Sequence, residues 1–305
     1  MNKEEQNYLD LLKEILEHGE EIKDRTGIGT LALFGRNLRF DLSNGKIPLL
    51  TTKKVFWRGA VEELLFFING KTKTQELEAK GVNIWKGNTS KEFLEKRGFS
   101  IEDYKNGEIG PMYGFNWRSF GQRTMFGEEE SNKDGGFTNT VHQLGIDQLQ
   151  NVFNSLRDDP NGRRHLVIAT DPHTADKRVL DECHYAFQFY VSNGNELSCM
   201  WQQRSVDSFL GLPFNIVSYA LLTHIMANAL GYKAKELVFN GADVHIYSNH
   251  LDQVKLQMSR DPYDFPTLKI NKHLSSLQDI EKIEFEDLEL INYNCHSAIK
   301  APMAI

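Results

Sequence analysis

Cys183 is the residue on which covalent chemistry would turn; it opens the run CHYAFQFYV (183–191). The thiolate is the nucleophilic form, and an ordinary thiol, with a pKa of about 8.5, is only a few per cent ionised at neutral pH. Each unit by which that pKa falls stabilises the thiolate by about 1.4 kcal/mol, and neighbouring guanidinium groups are an effective cause. Arg25, Arg163, Arg164 and Arg204 all lie in polar segments, and Ser205 follows the last of them. Four forked guanidinium groups and a hydroxyl suit a phosphate dianion, whose oxygens they bind two at a time. His184 is adjacent to the cysteine. Successive residues of a strand point to opposite faces, so a Cys–His hydrolase dyad is disfavoured. The chain contains no GxxxxGK[ST], no GxGxxG after a strand and no HExxH. His245 and His250, five positions apart, do not share a helical face as a metal pair would, so no metal is expected.

The elements that must carry these residues are legible from periodicity. Tyr8, Leu9, Leu11, Leu12, Ile15 and Leu16 recur at helical spacing before a stop at Gly19. A polar loop, DRTGIGT (24–30), leads into the strand-like TLALFGRNLRFDL with a bulge expected at Gly35. The stretch from Trp57 to Ile68 reads as a buried helix with Glu62 and Glu63 inside it. Thr89 and Glu92 have the spacing of a capping box for a short helix that ends near Gly98. The 119–140 segment loses periodicity and reads as an exposed insertion. A helix follows from Ile146 to Leu156, stopped by Asp159-Pro160. CHYAFQFYV and ELSCMWQQRSVD (196–207), joined by SNGN, predict a hairpin covered on both faces. From Pro213 to Leu230 no Asp, Glu, Lys or Arg occurs, which predicts a central buried helix closed by Gly231.

Composition bounds the partners. The 305 residues are 40% hydrophobic and 25% charged, with a net charge of −7, which is neither a disordered polyelectrolyte nor a basic nucleic-acid binder. No apolar run is long enough to span a bilayer, and the acidic, amphipathic start lacks the form of a secretion signal. Three cysteines without CxxC spacing fit free thiols in a reducing cytoplasm. No repeat or linker divides the chain, so one domain over 1–305 is expected.

The segments DRTGIGT, PLLTTKK, VEELLFFING, IGPMYGFNWR, GRRH, CHYAFQFYV, QQRSVDSFLGLPFNIVSYALLTH, DVHIYSNH and IKAPMAI, in this order along nearly the whole chain, resemble the thymidylate synthase family. The resemblance implies an α+β fold on a large mixed sheet flanked by helices, paired sheet to sheet in a homodimer. It also implies reductive methylation of dUMP to dTMP by 5,10-methylenetetrahydrofolate, a cosubstrate that supplies carbon and hydride and leaves as dihydrofolate, with no nicotinamide. Cys183 would add to uracil C6. Arg204 and Ser205 would hold the phosphate, with Arg25 closing over it and Arg163 and Arg164 arriving from the other subunit. Gln203 and Asp207 would contact the nucleotide. Asn215 would read the pyrimidine edge, and His245 and Tyr247 the sugar hydroxyl. Glu63, with a pKa raised by its apolar helix, would organise proton transfer, and Tyr113 would assist removal of the C5 proton. Lys53, Trp85, Asn88, Asp207, Leu210, Gly211, Phe214 and Tyr247 would line the folate site, with Met303 and Ala304 in a terminal flap.

The chain departs from the family pattern near the nucleophile. Asp181 and Glu182 replace a proline pair or alanine-proline, Thr170 and Asp171 replace Trp-Asn after Ala169, and Lys86 replaces an aspartate. Two carboxylates beside Cys183 oppose thiolate formation unless they are paired or turned away. The nearest alternative reaction is hydroxymethylation of dUMP, in which water captures the methylene carbon. A catalytically silent nucleotide- or RNA-binding member of the fold is a further alternative.

Overall fold

The charge-free run from Gly211 to Leu230 forms one helix of 20 residues, and the rest of the chain is layered around it. With apolar side chains on every face, it reaches low free energy only when enclosed on all sides. In the computed structural model, which describes residues 2–23, 26–128 and 138–303, it lies against a six-stranded sheet. The sheet contains β1 (Glu20–Ile22), β2 (Thr30–Asp41), β5 (Leu166–Ile168), β6 (His184–Ser192), β7 (Glu196–Asp207) and β8 (Lys233–Tyr247). Their spatial order is β1-β2-β8-β7-β6-β5, and the β7–β8 pair is parallel while the others are antiparallel. The charge-free helix is the crossover between those parallel strands. β3 (Arg123–Glu128) and β4 (Thr138–Gln143) form a separate two-stranded ribbon, and β9 (Thr267–Ile270) pairs with β10 (Leu288–Ile291).

The helices are α1 (Lys3–His18), α2 (Trp57–Ile68), α3 (Gln75–Glu78), α4 (Lys91–Lys96), α5 (Gly114–Ser119), α6 (Gln148–Asp158), α7 (Gly211–Leu230), α8 (Leu251–Met258) and α9 (Leu277–Glu281). α2, α5, α6 and α9 pack in the layer around α7. Trp201 of β7 stacks on Tyr219 of α7, with ring centroids 5.2 Å apart, and both are buried. The apolar contacts form one continuous core that reaches from α1 to β10. This is the mixed α+β single domain the resemblance implies.

One face of the sheet is covered by α7 and the other lies open on this chain. Tyr190 is 62% exposed on that open side, where Leu166 and Ile168 are also exposed. The hairpin is therefore enclosed on one face within the chain, where bulky residues on both faces predicted two.

Several local expectations are met, with different means in places. Gly231 closes α7 at φ 72°, the left-handed conformation that glycine adopts without a Cβ penalty. Gly35 also has positive φ, but β2 and β8 keep one register on either side of it, so no bulge occurs there. The bulge lies instead between His184 and Ala186, directly after the candidate nucleophile. There it increases local twist where the side chain must be aimed. Ser90, not Thr89, caps α4 by accepting from Phe93 N–H; the Thr89 hydroxyl donates to the Trp85 carbonyl. The insertion begins as β3 and returns as β4, and residues 129–137 between them lie outside the described residues.

Candidate active site

Buried polar anchors set the walls of a cleft before any of its chemistry arises. Glu5 of α1 is fully buried and accepts from the amide and hydroxyl of both Thr51 and Thr52, at 2.7–3.0 Å. This locks the segment that presents Lys53. The Tyr8 hydroxyl donates to the Ser208 carbonyl at 2.8 Å, fixing the bend between β7 and α7. In that bend Asp207 Oδ1 accepts from the amides of Phe209 and Leu210, both at 3.0 Å.

The cleft has a volume of about 360 Å³ and brings Cys183 together with Arg204, Ser205 and Asp207 of β7 and with His245 and Tyr247 of β8. The parallel ladder accounts for this convergence, since Ser205 faces Asp243 and Asp207 faces His245 across it. Cys183 is half-buried, and its amide donates to the Tyr113 hydroxyl at 2.9 Å. Arg204 grips the segment before the cysteine: Nε donates to the Glu182 carbonyl at 2.9 Å, and Nη2 to the Asp181 carbonyl at 2.8 Å. Its amide donates to the Cys183 carbonyl at 2.8 Å. Arg204 is thus fixed to the main chain around Cys183 by three bonds, two from its guanidinium and one from its amide. His184 points the other way, with its ring on the Tyr219 hydroxyl at 2.8 Å, and burial pushes its pKa down to about 3. A neutral, helix-facing imidazole is no base for Cys183, which agrees with the strand argument.

Tyr113 has φ 43° and ψ −108°, a region that a bulky residue seldom enters and that packing must hold. Its ring lies 4.9 Å from Phe67 and 4.4 Å from His184. The close approach of α5 to α2 needs Gly114, where a Cβ would sit 2.3 Å from the Phe67 carbonyl oxygen. Burial raises the Tyr113 pKa well above its ordinary value, with the Cys183 charge adding to the rise. Glu63 accepts from Trp85 Nε1 at 2.8 Å, and desolvation lifts its carboxyl to about 7 against that bond. A carboxyl poised near neutrality can give and take protons at physiological pH.

The pyrimidine-reading candidates form a relay in which Trp201 Nε1 donates to Gln203 Oε1 at 3.0 Å and Gln203 Nε2 donates to Asn215 Oδ1 at 3.1 Å. The relay fixes the orientation of the Asn215 amide. His245 is buried and its Nδ1 meets Asp243 Oδ1 at 2.9 Å, while Tyr247 stands edge-on to its ring at 5.1 Å. Lys53 is buried, with its ammonium over the Phe209 ring at 3.5 Å and bonded to the Phe209 carbonyl. Desolvation lowers its pKa to about 7. Trp85 is buried, Leu210 and Phe214 are partly covered, and Asn88 and Gly211 are half-buried. His250 Nε2 donates to the Pro302 carbonyl at 2.7 Å, tying down the segment that ends at the exposed Met303.

Not every expected residue is gathered in the cleft. Arg163 and Arg164 are exposed on the turn between α6 and β5 and do not line it, and neither do Glu63, Tyr113, Gln203, Asn215 or the described folate candidates other than Asp207 and Tyr247. Arg25 and Ala304 lie outside the described residues. Conversely, Arg97 at the end of α4 lines the cleft, and Arg178 is buried beneath Asp181. An arginine three positions before two carboxylates was the one available signal for the latter. Among the described residues, no three His, Cys, Asp or Glu side chains are grouped as a metal ion would require.

The class that the fold and site define, a mixed-sheet protein with an arginine-flanked cysteine in a polar cleft, matches the comparisons with known proteins. The thymidylate synthase family model matches residues 6–305, and the chain belongs to that family. It is 45% identical over 305 residues to the bifunctional dihydrofolate reductase-thymidylate synthase of Leishmania major, covering 100% of this chain and 56% of that protein. The chain thus spans little more than half the length of that relative. It is 43% identical over 305 residues to the thymidylate synthase of Ascaris suum, covering 100% of this chain and 98% of the relative. With the thymidylate synthase of Varicella-zoster virus (strain Dumas) it shares 44% identity over 301 residues, or 99% and 94% of the two chains.

The Glu63 carboxyl carries a linkage consequence. Its folded pKa of about 7 lies above the ordinary 4.5, so the folded state binds the extra proton between those values. Its contribution to stability is therefore present at low pH and is lost as pH rises through about 7. Glu63→Gln removes that loss, so the variant should gain about 3 kcal/mol relative to the parent between pH 4.5 and 7.5, an order-of-magnitude figure. Urea unfolding of both proteins at those two pH values measures it.

Proposed function

We propose that the chain catalyses reductive methylation of dUMP to dTMP, with 5,10-methylenetetrahydrofolate as cosubstrate. The observation that carries this reading is the placement of Cys183 in one cleft with Arg204, Ser205, Asp207, His245 and Tyr247. When bound, the cosubstrate supplies the one-carbon unit and the hydride. The residues present fit a flat, partly apolar molecule, since Trp85 is held by Glu63 while Leu210 and Phe214 keep uncovered apolar surface. Asn88, Asp207, Gly211, Tyr247, Met303 and Ala304 belong to the same proposed surface, and Lys53 supports it from beneath through Phe209.

Arg204 and Ser205 bind the phosphate, and the bound guanidinium favours the Cys183 thiolate. The sulfur adds to C6 of the uracil, which makes C5 nucleophilic toward the one-carbon unit. The Asn215 amide, held by Gln203, offers its N–H to O4 and its oxygen to the N3–H; cytosine presents the opposite pattern at both atoms. A mismatch of buried polar groups of this kind costs orders of magnitude in selectivity. Glu63, near neutrality, stabilises charge at O4 and moves protons around C5, and Tyr113 takes part in loss of the C5 proton. His245 and Tyr247 bind the sugar hydroxyl.

The exposed sheet face bearing Leu166, Ile168 and Tyr190 suits pairing with a second copy of the chain. In such a dimer, Arg163 and Arg164, idle on their own subunit, reach the partner's phosphate site alongside Arg25. The whole chain acts as one catalytic domain, and its sparse cysteines suit a cytoplasmic location. No described helix is long and apolar enough to cross a membrane.

Mixing the protein with dUMP and 5,10-methylenetetrahydrofolate should give dTMP by mass and dihydrofolate by absorbance. Cys183→Ser should abolish turnover while dUMP binding persists. A hydroxymethyl product with tetrahydrofolate would overturn the reaction assigned here. For the shared site, an Arg163→Ala/Arg164→Ala protein mixed with Cys183→Ser should regain activity, because one of the two hybrid sites is whole. Continued inactivity after demonstrated subunit exchange would refute sharing.

A further inference from the structure

Two carboxylates immediately before a nucleophilic cysteine present an electrostatic conflict, and Arg178 lies where it can resolve it. Arg178 precedes them by three and four positions and is only 5% exposed. Its Nε and Nη2 donate to Asp181 Oδ1 at 3.1 and 2.9 Å, and its Nη1 stands 3.2 Å from Glu182 Oε2. The same Nη1 donates to the Thr170 hydroxyl at 3.1 Å and to the Asp171 carbonyl at 3.2 Å. Glu182 is buried, and Asn116 Nδ2 lies at the limit of hydrogen-bond distance, 3.5 Å, from its Oε1. The Asp181 and Glu182 side chains are therefore held by Arg178 while their main-chain carbonyls accept from Arg204, and Asp181 also lines the cleft. Two arginines hold the same dipeptide, one by its side chains and one by its backbone.

We propose that Arg178 is a positioning residue for the nucleophile: it gathers Asp181 and Glu182 into one ion-pair cluster, offsets their charge beside the Cys183 sulfur, and fixes the carbonyls on which Arg204 is seated. This rests on the assignment of Cys183 as the nucleophile. A buried carboxylate stripped of its cation is strongly unfavourable, so the cluster stands or falls as a unit. Burial already raises the Glu182 pKa, and Arg178 and Thr170 pull against it. The other charged and titratable groups around the sulfur come from four further elements. They are Tyr113 at the start of α5, Arg204 and Asp207 of β7, Asp243, His245 and Tyr247 of β8, and Arg97 at the end of α4. Arg178 differs from them in contacting both flanking carboxylates.

The test is the pH profile of Cys183 alkylation by iodoacetamide without nucleotide or folate, followed by peptide mass so that Cys295 and the buried Cys199 are scored separately. Because no substrate is present, its failure is distinct from failure of the proposed reaction, which the turnover assay reads. Arg178→Met should raise the alkylation midpoint by about one pH unit, slowing the reaction at pH 7 about tenfold. Arg178→Lys should recover part of that shift. In the triple variant Arg178→Met/Asp181→Asn/Glu182→Gln the midpoint should return to the parent value or below. A folded Arg178→Met protein with an unmoved midpoint, or a triple variant that stays shifted upward, overturns the proposal. Should Arg178→Met fail to fold, Asp181→Asn/Glu182→Gln with Arg178 retained decides: its midpoint should fall by about half a unit or more, and no fall overturns the proposal.

Discussion

A thiol is nucleophilic only as its anion, so for Cys183 in its proposed role what matters most is a positive charge held in the same cleft. Arg204 meets that need because three of its nitrogens donate to the carbonyls of Asp181, Glu182 and Cys183. A guanidinium free to swing in water would be screened and would lose much of its effect, whereas one tied to the backbone remains in place. The parallel pairing of β7 with β8, made possible by the enclosed helix α7, then lines up Ser205, Asp207 and His245 along the same wall. Fold and chemistry meet in that pairing.

The layer behind the Cys183 amide, reached through the Tyr113 hydroxyl, is built on a different principle. There the proposed proton-handling groups are a carboxyl and a phenol whose ionisation desolvation suppresses, with Glu63 lifted to about 7 and Tyr113 well above its ordinary range. Suppressed charge in one set of groups and fixed positive charge in the other is a division suited to a reaction that needs a nucleophile and a proton carrier at one pH. The unusual backbone of Tyr113 and the bare Cα of Gly114 are local costs of packing α5 against α2.

Much of this was legible in the residues. The hairpin, the charge-free helix with its Gly231 stop, and the raised pKa of Glu63 follow from alternation, from the absence of charge, from turn chemistry and from the apolar neighbours of that carboxyl. Other features were not. The strand order that sets β8 between β2 and β7 depends on contacts distant in sequence, and the register that cancels a bulge at Gly35 is a property of two strands together. Thr89 and Ser90 are both competent caps, and only the geometry of α4 chooses Ser90. Asp181 and Glu182 read as hostile to a thiolate because the side-chain contacts of Arg178, three and four positions earlier, are visible only in the folded chain. Arg163 and Arg164 were read as serving another subunit, and in one chain they are exposed and apart from the cleft.

The central claim is that the Cys183 sulfur forms a covalent bond with the pyrimidine. Incubation with 5-fluoro-dUMP and 5,10-methylenetetrahydrofolate, followed by peptide mass analysis, tests it most directly, because fluorine at C5 blocks the later loss of a proton. The account predicts a stable adduct on the peptide that contains Cys183 and none on those of Cys199 or Cys295. Turnover of dUMP by the same preparation with residue 183 left unmodified by the analogue would contradict it.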